Sequence, residues 1–108
     1  MKLNGKIAYV TGGARDIGRA VSLKLSSEGA KVVINYFDNP EDAEVTLKMI
    51  QEKGGEAIIV QGDMTKAEDV KRFFESGISI YGDKIDILVN VVGGIMGRKE
   101  ITEQDENW

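Results

Sequence analysis

An apolar run, Lys6–Val10, passes directly into Thr11-Gly12-Gly13-Ala14-Arg15-Asp16-Ile17-Gly18, and a helix-like segment begins at once. These residue types in this order suit the holding of a phosphate. Glycine after a strand lets the backbone turn sharply and approach a ligand closely. The start of the helix then offers unpaired N–H groups and the positive end of its dipole to an anion. A glycine-rich loop alone can be a plain tight turn. Set between a strand and a helix near the start of the chain, it reads as a dinucleotide-binding loop.

Other chemistry is scarce. The chain has no histidine and no cysteine. That removes the commonest general base, the commonest metal ligand, thiolate zinc sites and thiol catalysis. The carboxylate pairs Asp42/Glu44 and Glu103/Asp105 fall at the starts of predicted helices. Glu41-Asp42 complements a helix dipole more readily than it builds a metal site.

Composition bounds the rest. The 108 residues make one domain's worth of chain, with 42% apolar and 30% charged residues, as in ordinary globular proteins. Fourteen basic against eighteen acidic residues give a net charge of −4, and no basic cluster exceeds two residues. Nucleic acid is therefore not an expected partner. No apolar run approaches the ~18 residues of a membrane span, and the N-terminus is too short in apolar residues for a signal peptide. The expected location is the cytoplasm.

The elements that must position the loop alternate. Lys6–Val10, Lys31–Asn35, Glu56–Gln61 and Ile85–Val92 read as strands, their Val/Ile runs fitting a parallel sheet covered on both faces. Three helices are expected between them. In the first, Ile17 to Glu28, an apolar stripe of Ile17, Ala20, Val21 and Leu25 precedes a Gly29 cap. The second has Asn39 as N-cap and Pro40 at its first position, with Ala43, Leu47 and Ile50 facing inward. The third opens on a capping box, Thr65-Lys66-Ala67-Glu68, and buries Val70, Phe73 and Phe74 or Gly77. A second capping box, Thr102-Glu103-Gln104-Asp105, signals a fourth helix. The order β-α-β-α-β-α-β predicts an α/β, Rossmann-type parallel sheet with right-handed crossovers.

At this point the residues resemble a family, the short-chain dehydrogenases/reductases. Thr-Gly-x-x-x-x-Ile-Gly at the first strand–helix turn is similar to that family's cofactor loop. Gly62-Asp63-Met64-Thr65 resembles its adenine-contacting segment, and Leu88-Val89-Asn90-Val91-Val92-Gly93-Gly94 its Asn-Ala-Gly segment. Thr102 to Trp108 resembles the helix-opening stretch that follows. Within the family, Lys-Val-Val-Ile-Asn-Tyr and Lys-Gly-Gly-Glu-Ala are similar to 3-oxoacyl-carrier-protein reductases and glucose dehydrogenase-like members. The resemblance implies nicotinamide-dependent hydride transfer between carbonyl and alcohol. It implies cofactor contacts at Gly12, Ala14, Arg15, Asp16, Ile17, Gly18, Asp63, Met64, Asn90 and Val91.

The chain departs from the pattern at two places. Asp16 stands where the family has glycine, and Val91-Val92 where it usually has Ala-Gly. The Asp16 carboxylate would either repel a pyrophosphate or be neutralised by Arg15 or Arg19 and point to solvent. NADP(H) is favoured over NAD(H), because Arg15 resembles the basic residue that takes the 2′-phosphate in relatives. Asp38, 20 residues after Gly18, has roughly the spacing of a ribose-binding acid but should lie past the second strand as a solvated turn residue.

The family's acid–base pair is Tyr-x-x-x-Lys, together with a serine. Four residues beyond Tyr9, Tyr36 and Tyr81 stand Gly13, Pro40 and Ile85, so none matches. Residues 1–108 are therefore expected to be a single N-terminal cofactor-binding half, inactive alone, of an oxidoreductase. Two other readings stay open: a non-catalytic nucleotide-binding module, and a self-assembling half-domain. In the last, Ile85–Val92 forms an exposed sheet edge that pairs with a second copy into a homo-oligomer.

Overall fold

Val and Ile on consecutive positions favour extended backbone, and they fill both faces of the central strands. In the computed structural model, residues 2–12, 14 and 16–91 are described. They form β1 (Ile7–Thr11), α1 (Asp16–Ser27), β2 (Lys31–Tyr36), α2 (Pro40–Glu52), β3 (Ala57–Gln61), α3 (Ala67–Tyr81) and β4 (Ile87–Asn90). All strands are parallel, in the order β3-β2-β1-β4. The expected α/β order is present. The fourth helix, from Thr102, and Val92, Gly93 and Gly94 lie outside the described residues.

Alternation along each strand divides the core in two. Ile7, Tyr9, Val33 and Val60 meet Phe73 on the α3 face. Val10, Val32 and Ile34 meet Ile50 on the other, where Val21, Leu23 and Leu25 of α1 also pack. The Tyr9 and Phe73 rings meet edge to face, with centroids 5.4 Å apart, a geometry worth about 0.5–1.5 kcal/mol beyond burial. Gly77 is required beneath them, since a Cβ there would run into the Tyr9 ring and hydroxyl.

The helix ends follow their residues. Asn39 Oδ1 accepts the Asp42 N–H at 3.1 Å, and Pro40 opens α2, as expected. Gly54 and Gly55 close that helix by donating to Gln51 and Ile50 carbonyls.

Four expectations are corrected. The buried stripe of α1 is Gly18 and Ser22 flanked by Val21 and Leu25, so Ile17 (70% exposed) and Ala20 are off it. Steps of three and four residues from Gly18 trace the face that meets the sheet, and Ile17 lies about 100° away from it. Thr65 does not cap α3. The cap is Lys66, with no side-chain bond, because the Thr65 hydroxyl is committed to Asp63. In α2, Thr46 is buried beside Ala43 and Ile50 while Leu47 is half-buried. Finally, only β1 and β2 are buried along most of their length; β4 is shorter than Ile85–Val92, lies at the sheet edge, and leaves Leu88 56% exposed.

Candidate functional site

The C-terminal ends of the four strands lie at one end of the sheet, in registers that include Thr11↔Asn90 and Tyr36↔Gln61. Between β1 and β4 the strand order reverses direction. That crevice is where parallel α/β sheets bind ligands.

Its walls are tied together closely. Thr11 Oγ1 donates to Asn90 Oδ1. The Val91 N–H is shared between the Thr11 carbonyl and hydroxyl, each at 3.2 Å. Gly12 crosses directly over this join with φ +65°, and a Cβ on it would stand 2.9 Å from the Val91 carbonyl oxygen. Only glycine meets both conditions.

The Gly12 N–H does not face the crevice as a free donor. It donates to Asn35 Oδ1 at 3.1 Å. Asn35 is 3% exposed, and its Nδ2 faces the carbonyls of Gly62 (3.0 Å), Tyr36 (3.2 Å) and Val60 (3.4 Å). One amide thus holds together the ends of β1, β2 and β3. The sequence offered a signal for this: a polar residue inside an apolar strand run has to find partners when it is buried.

The loop beyond Gly12 is held from the α2 side. Ala14 is buried, and its carbonyl accepts the hydroxyl of Thr46. Arg19 Nε donates to Thr46 Oγ1 at 2.8 Å. Arg19 Nη2 donates to the Asp42 carbonyl at 3.1 Å and lies 3.7 Å from its carboxylate. Arg19 is therefore directed to α2 rather than to Asp16, which corrects one of the two ways that carboxylate was expected to be neutralised. Arg15, the other, lies outside the described residues, as does Gly13.

What remains open to an anion is the first turn of α1. Asp16 is exposed and is the only described non-glycine residue with positive φ, at 54°. Ile17 is exposed beside it, and Gly18 is buried against the core. The first-turn N–H groups of a helix lack intrahelical acceptors, so this turn can accept a pyrophosphate. The departure from glycine at Asp16 therefore puts a side chain on a left-handed backbone and a negative charge at the start of α1.

At the end of β3, Asp63 Oδ1 accepts both the Thr65 N–H (2.9 Å) and the Thr65 hydroxyl (2.6 Å). These bonds hold its carboxyl below the usual carboxylate range. The Asp63 N–H donates to Asp69 Oδ2 at 2.7 Å, a partner that sequence reasoning missed. Met64 packs its side chain against the Tyr9–Phe73 cluster. Asp38 is exposed two residues past β2, as expected.

Two tyrosine phenols, Tyr9 and Tyr81, are pushed above the ordinary value. Burial raises the Tyr9 phenol, which donates to the Phe74 carbonyl at 3.4 Å. Burial and the nearby Glu56 raise Tyr81. Among the described residues no cluster of three or more potential ligands could hold a metal ion, and no helix is long and apolar enough to cross a membrane.

With this geometry in place, comparison with known proteins is decisive at family level. A family model described as short chain dehydrogenase matches residues 6–108. The chain belongs to the short chain dehydrogenase family. It is 42% identical over 90 residues to the short-chain dehydrogenase/reductase homolog YusS of Bacillus subtilis, covering 83% of this chain and 82% of that one. It is 36% identical over 106 residues to Elsinochrome reductase 1 of Elsinoe fawcettii, covering 96% of this chain and 39% of the relative. A short chain dehydrogenase from Burkholderia cenocepacia, solved in complex with NADP, superposes with a TM-score of 0.81 at 36% identity, covering 87% of this chain and 38% of that one. The chain thus spans about two fifths of these last two family members and most of YusS.

Proposed function

We propose that residues 1–108 form the dinucleotide-binding portion of a nicotinamide-dependent oxidoreductase and bind NADP(H) in preference to NAD(H). The observation that carries this reading is the open first turn of α1, set at the β1/β4 crevice by Gly12. Asp16, Ile17 and Gly18 would face the pyrophosphate, and Asp63 with the Met64 backbone the adenine end. Asn90 and Val91 would border the far side of the groove. When bound, the nicotinamide supplies the hydride donor or acceptor for interconversion of a carbonyl and an alcohol.

Three points support the phosphorylated cofactor. The β2 end carries no acid to grip a ribose hydroxyl, since Asn35 is turned inward and the strand closes on Tyr36. In the sequence Arg15 lies between Ala14 and Asp16, and a guanidinium is suited to a phosphate. The Burkholderia relative was solved with NADP. The chain's own part in the chemistry is to bind and orient. It contains no Tyr-x-x-x-Lys, so residues 1–108 alone should show no hydride transfer. The substrate class implied by resemblance, a 3-oxoacyl thioester or a similar carbonyl, belongs to the same proposal.

Asp16 provides the test. A carboxylate about 5 Å from a phosphate opposes it by a few kcal/mol at an effective dielectric near 20, and by less at a solvated surface. Asp16→Gly should therefore tighten NADPH binding about tenfold at low salt, roughly 1.4 kcal/mol, with the gain shrinking as salt is added. Asp16→Asn should keep most of that gain, because it removes the charge and tolerates the left-handed backbone. Fluorescence titration of NADPH checks this; an affinity unchanged in both variants at low salt would contradict placement of the pyrophosphate at this turn.

A further inference from the structure

We infer that Thr46, on α2, is a positioning residue for the phosphate loop, acting through Ala14 with Arg19 as its support. This rests on the proposed function for its binding consequence.

Thr46 is fully buried in the middle of α2, on the same stripe as Ala43 and Ile50. A threonine in mid-helix commonly returns its hydroxyl to the carbonyl four residues back. The Asp42 carbonyl is 3.1 Å away, yet the Ala14 carbonyl is nearer and lies 32 positions distant in sequence. The single hydroxyl hydrogen is thus directed out of the helix and into the loop. Arg19 Nε then donates to the same oxygen at 2.8 Å, fixing the direction of the hydroxyl. Arg19 Nη2 donates to the Asp42 carbonyl at 3.1 Å. Thr46, Arg19 and the Ala14 carbonyl thus form one hydrogen-bonded group between α1, α2 and the loop.

The location gives this arrangement its effect. Ala14 lies between Gly12, held by Asn35, and Asp16, where the helix N–H groups begin. Asn35 fixes the entry of the loop and Thr46 fixes its middle. Arg19 is one turn into α1, so it links the loop directly to the helix whose first turn would meet the pyrophosphate. Anion binding by backbone N–H groups depends on their direction, and the direction is set by the loop that leads into them.

Thr46→Val keeps shape and burial but removes the hydroxyl, whereas Thr46→Ser keeps the hydroxyl and removes a methyl. Two readouts on the full chain separate the proposal from general stability. One is hydrogen exchange of the Gly12 amide and the first turn of α1 without cofactor, referenced to Val33 in β2. The other is NADPH affinity. In Thr46→Val, loop exchange should rise about tenfold relative to Val33 and NADPH binding should weaken about tenfold, the loss expected for one hydrogen bond. Thr46→Ser should lie within about twofold of the parent in both. Arg19→Gln, at a partly exposed site, should show the same two changes, and it decides the matter if Thr46→Val does not fold. The proposal is overturned if loop exchange is unchanged in Thr46→Val, or if Thr46→Ser is as impaired as Thr46→Val. Should the parent chain fail to bind NADPH, the proposed function fails, while the exchange result still decides the role of Thr46.

Discussion

Gly12→Ala is expected to destabilise the chain by about 2–3 kcal/mol and to weaken dinucleotide binding by about a hundredfold or more. Two separate effects add. A side chain at φ +65° costs roughly 1–2 kcal/mol in the left-handed region. The new methyl would also stand 2.9 Å from the Val91 carbonyl oxygen, a backbone atom held by the pairing of β4 with β1. Neither side can yield without loss. If the loop lifts, the Gly12 N–H leaves Asn35 and the first turn of α1 changes direction. If β4 moves, the Thr11–Asn90 and Thr11–Val91 bonds are lost. Loss of aim at two N–H groups that would face the phosphate of the proposed cofactor, at about 1.5–3 kcal/mol each, sets the size of the expected binding effect. Urea unfolding and NADPH titration measure the two parts. A variant of parental stability would show that Gly12 is not confined as described.

Asn35→Leu is expected to remove about 2–4 kcal/mol of stability. The residue is almost wholly buried, and its amide serves the Gly12 N–H and the Gly62 carbonyl within 3.1 Å. Leucine is of similar size, so the loss comes from polar groups left unpaired, at about 1–3 kcal/mol each, rather than from a cavity. Asn35→Asp separates the two halves of the amide. It keeps an acceptor for Gly12 but turns a second acceptor toward the Gly62 carbonyl, so it should also be destabilising. Chemical denaturation of the three proteins gives the answer; a change below about 0.5 kcal/mol in Asn35→Leu would mean that this amide is not the tie between the three strand ends. In a domain whose whole stability is of order 5–15 kcal/mol, the expected loss would leave the chain marginal.

These two residues also show what could be read from the sequence and what could not. Gly12 was legible because its type, its place after an apolar strand and its neighbours all point to one geometry. The strand and helix order was legible for the same reason, since the Val/Ile runs, Asn39-Pro40 and the Gly54-Gly55 stop agree with one another. Asn35 was legible as a polar residue that needs partners, but not which ones, because the Val60 and Gly62 carbonyls are brought near only by the sheet. Apolar periodicity turns Leu47 rather than Thr46 inward, because it assigns inward faces to apolar residues, whereas Thr46 is buried with a hydrogen bond. The Thr65 capping box matched its local pattern, but Asp63 competes for the hydroxyl from two residues away. Residue type places Ile17 in the core, although it is 70% exposed in the first turn of α1.

The central claim is that the Gly12–Gly18 turn at the β1/β4 crevice is a binding site for a phosphorylated nicotinamide dinucleotide. The most direct measurement is an NMR titration of labelled residues 1–108 with NADPH, repeated with NADH. The predicted result is saturable shifts at the amides of Asp16, Ile17, Gly18, Asp63 and Met64, at lower concentration for NADPH than for NADH. Shifts absent from the α1 turn, or confined to the opposite end of the sheet around Gly54 and Lys31, would contradict it.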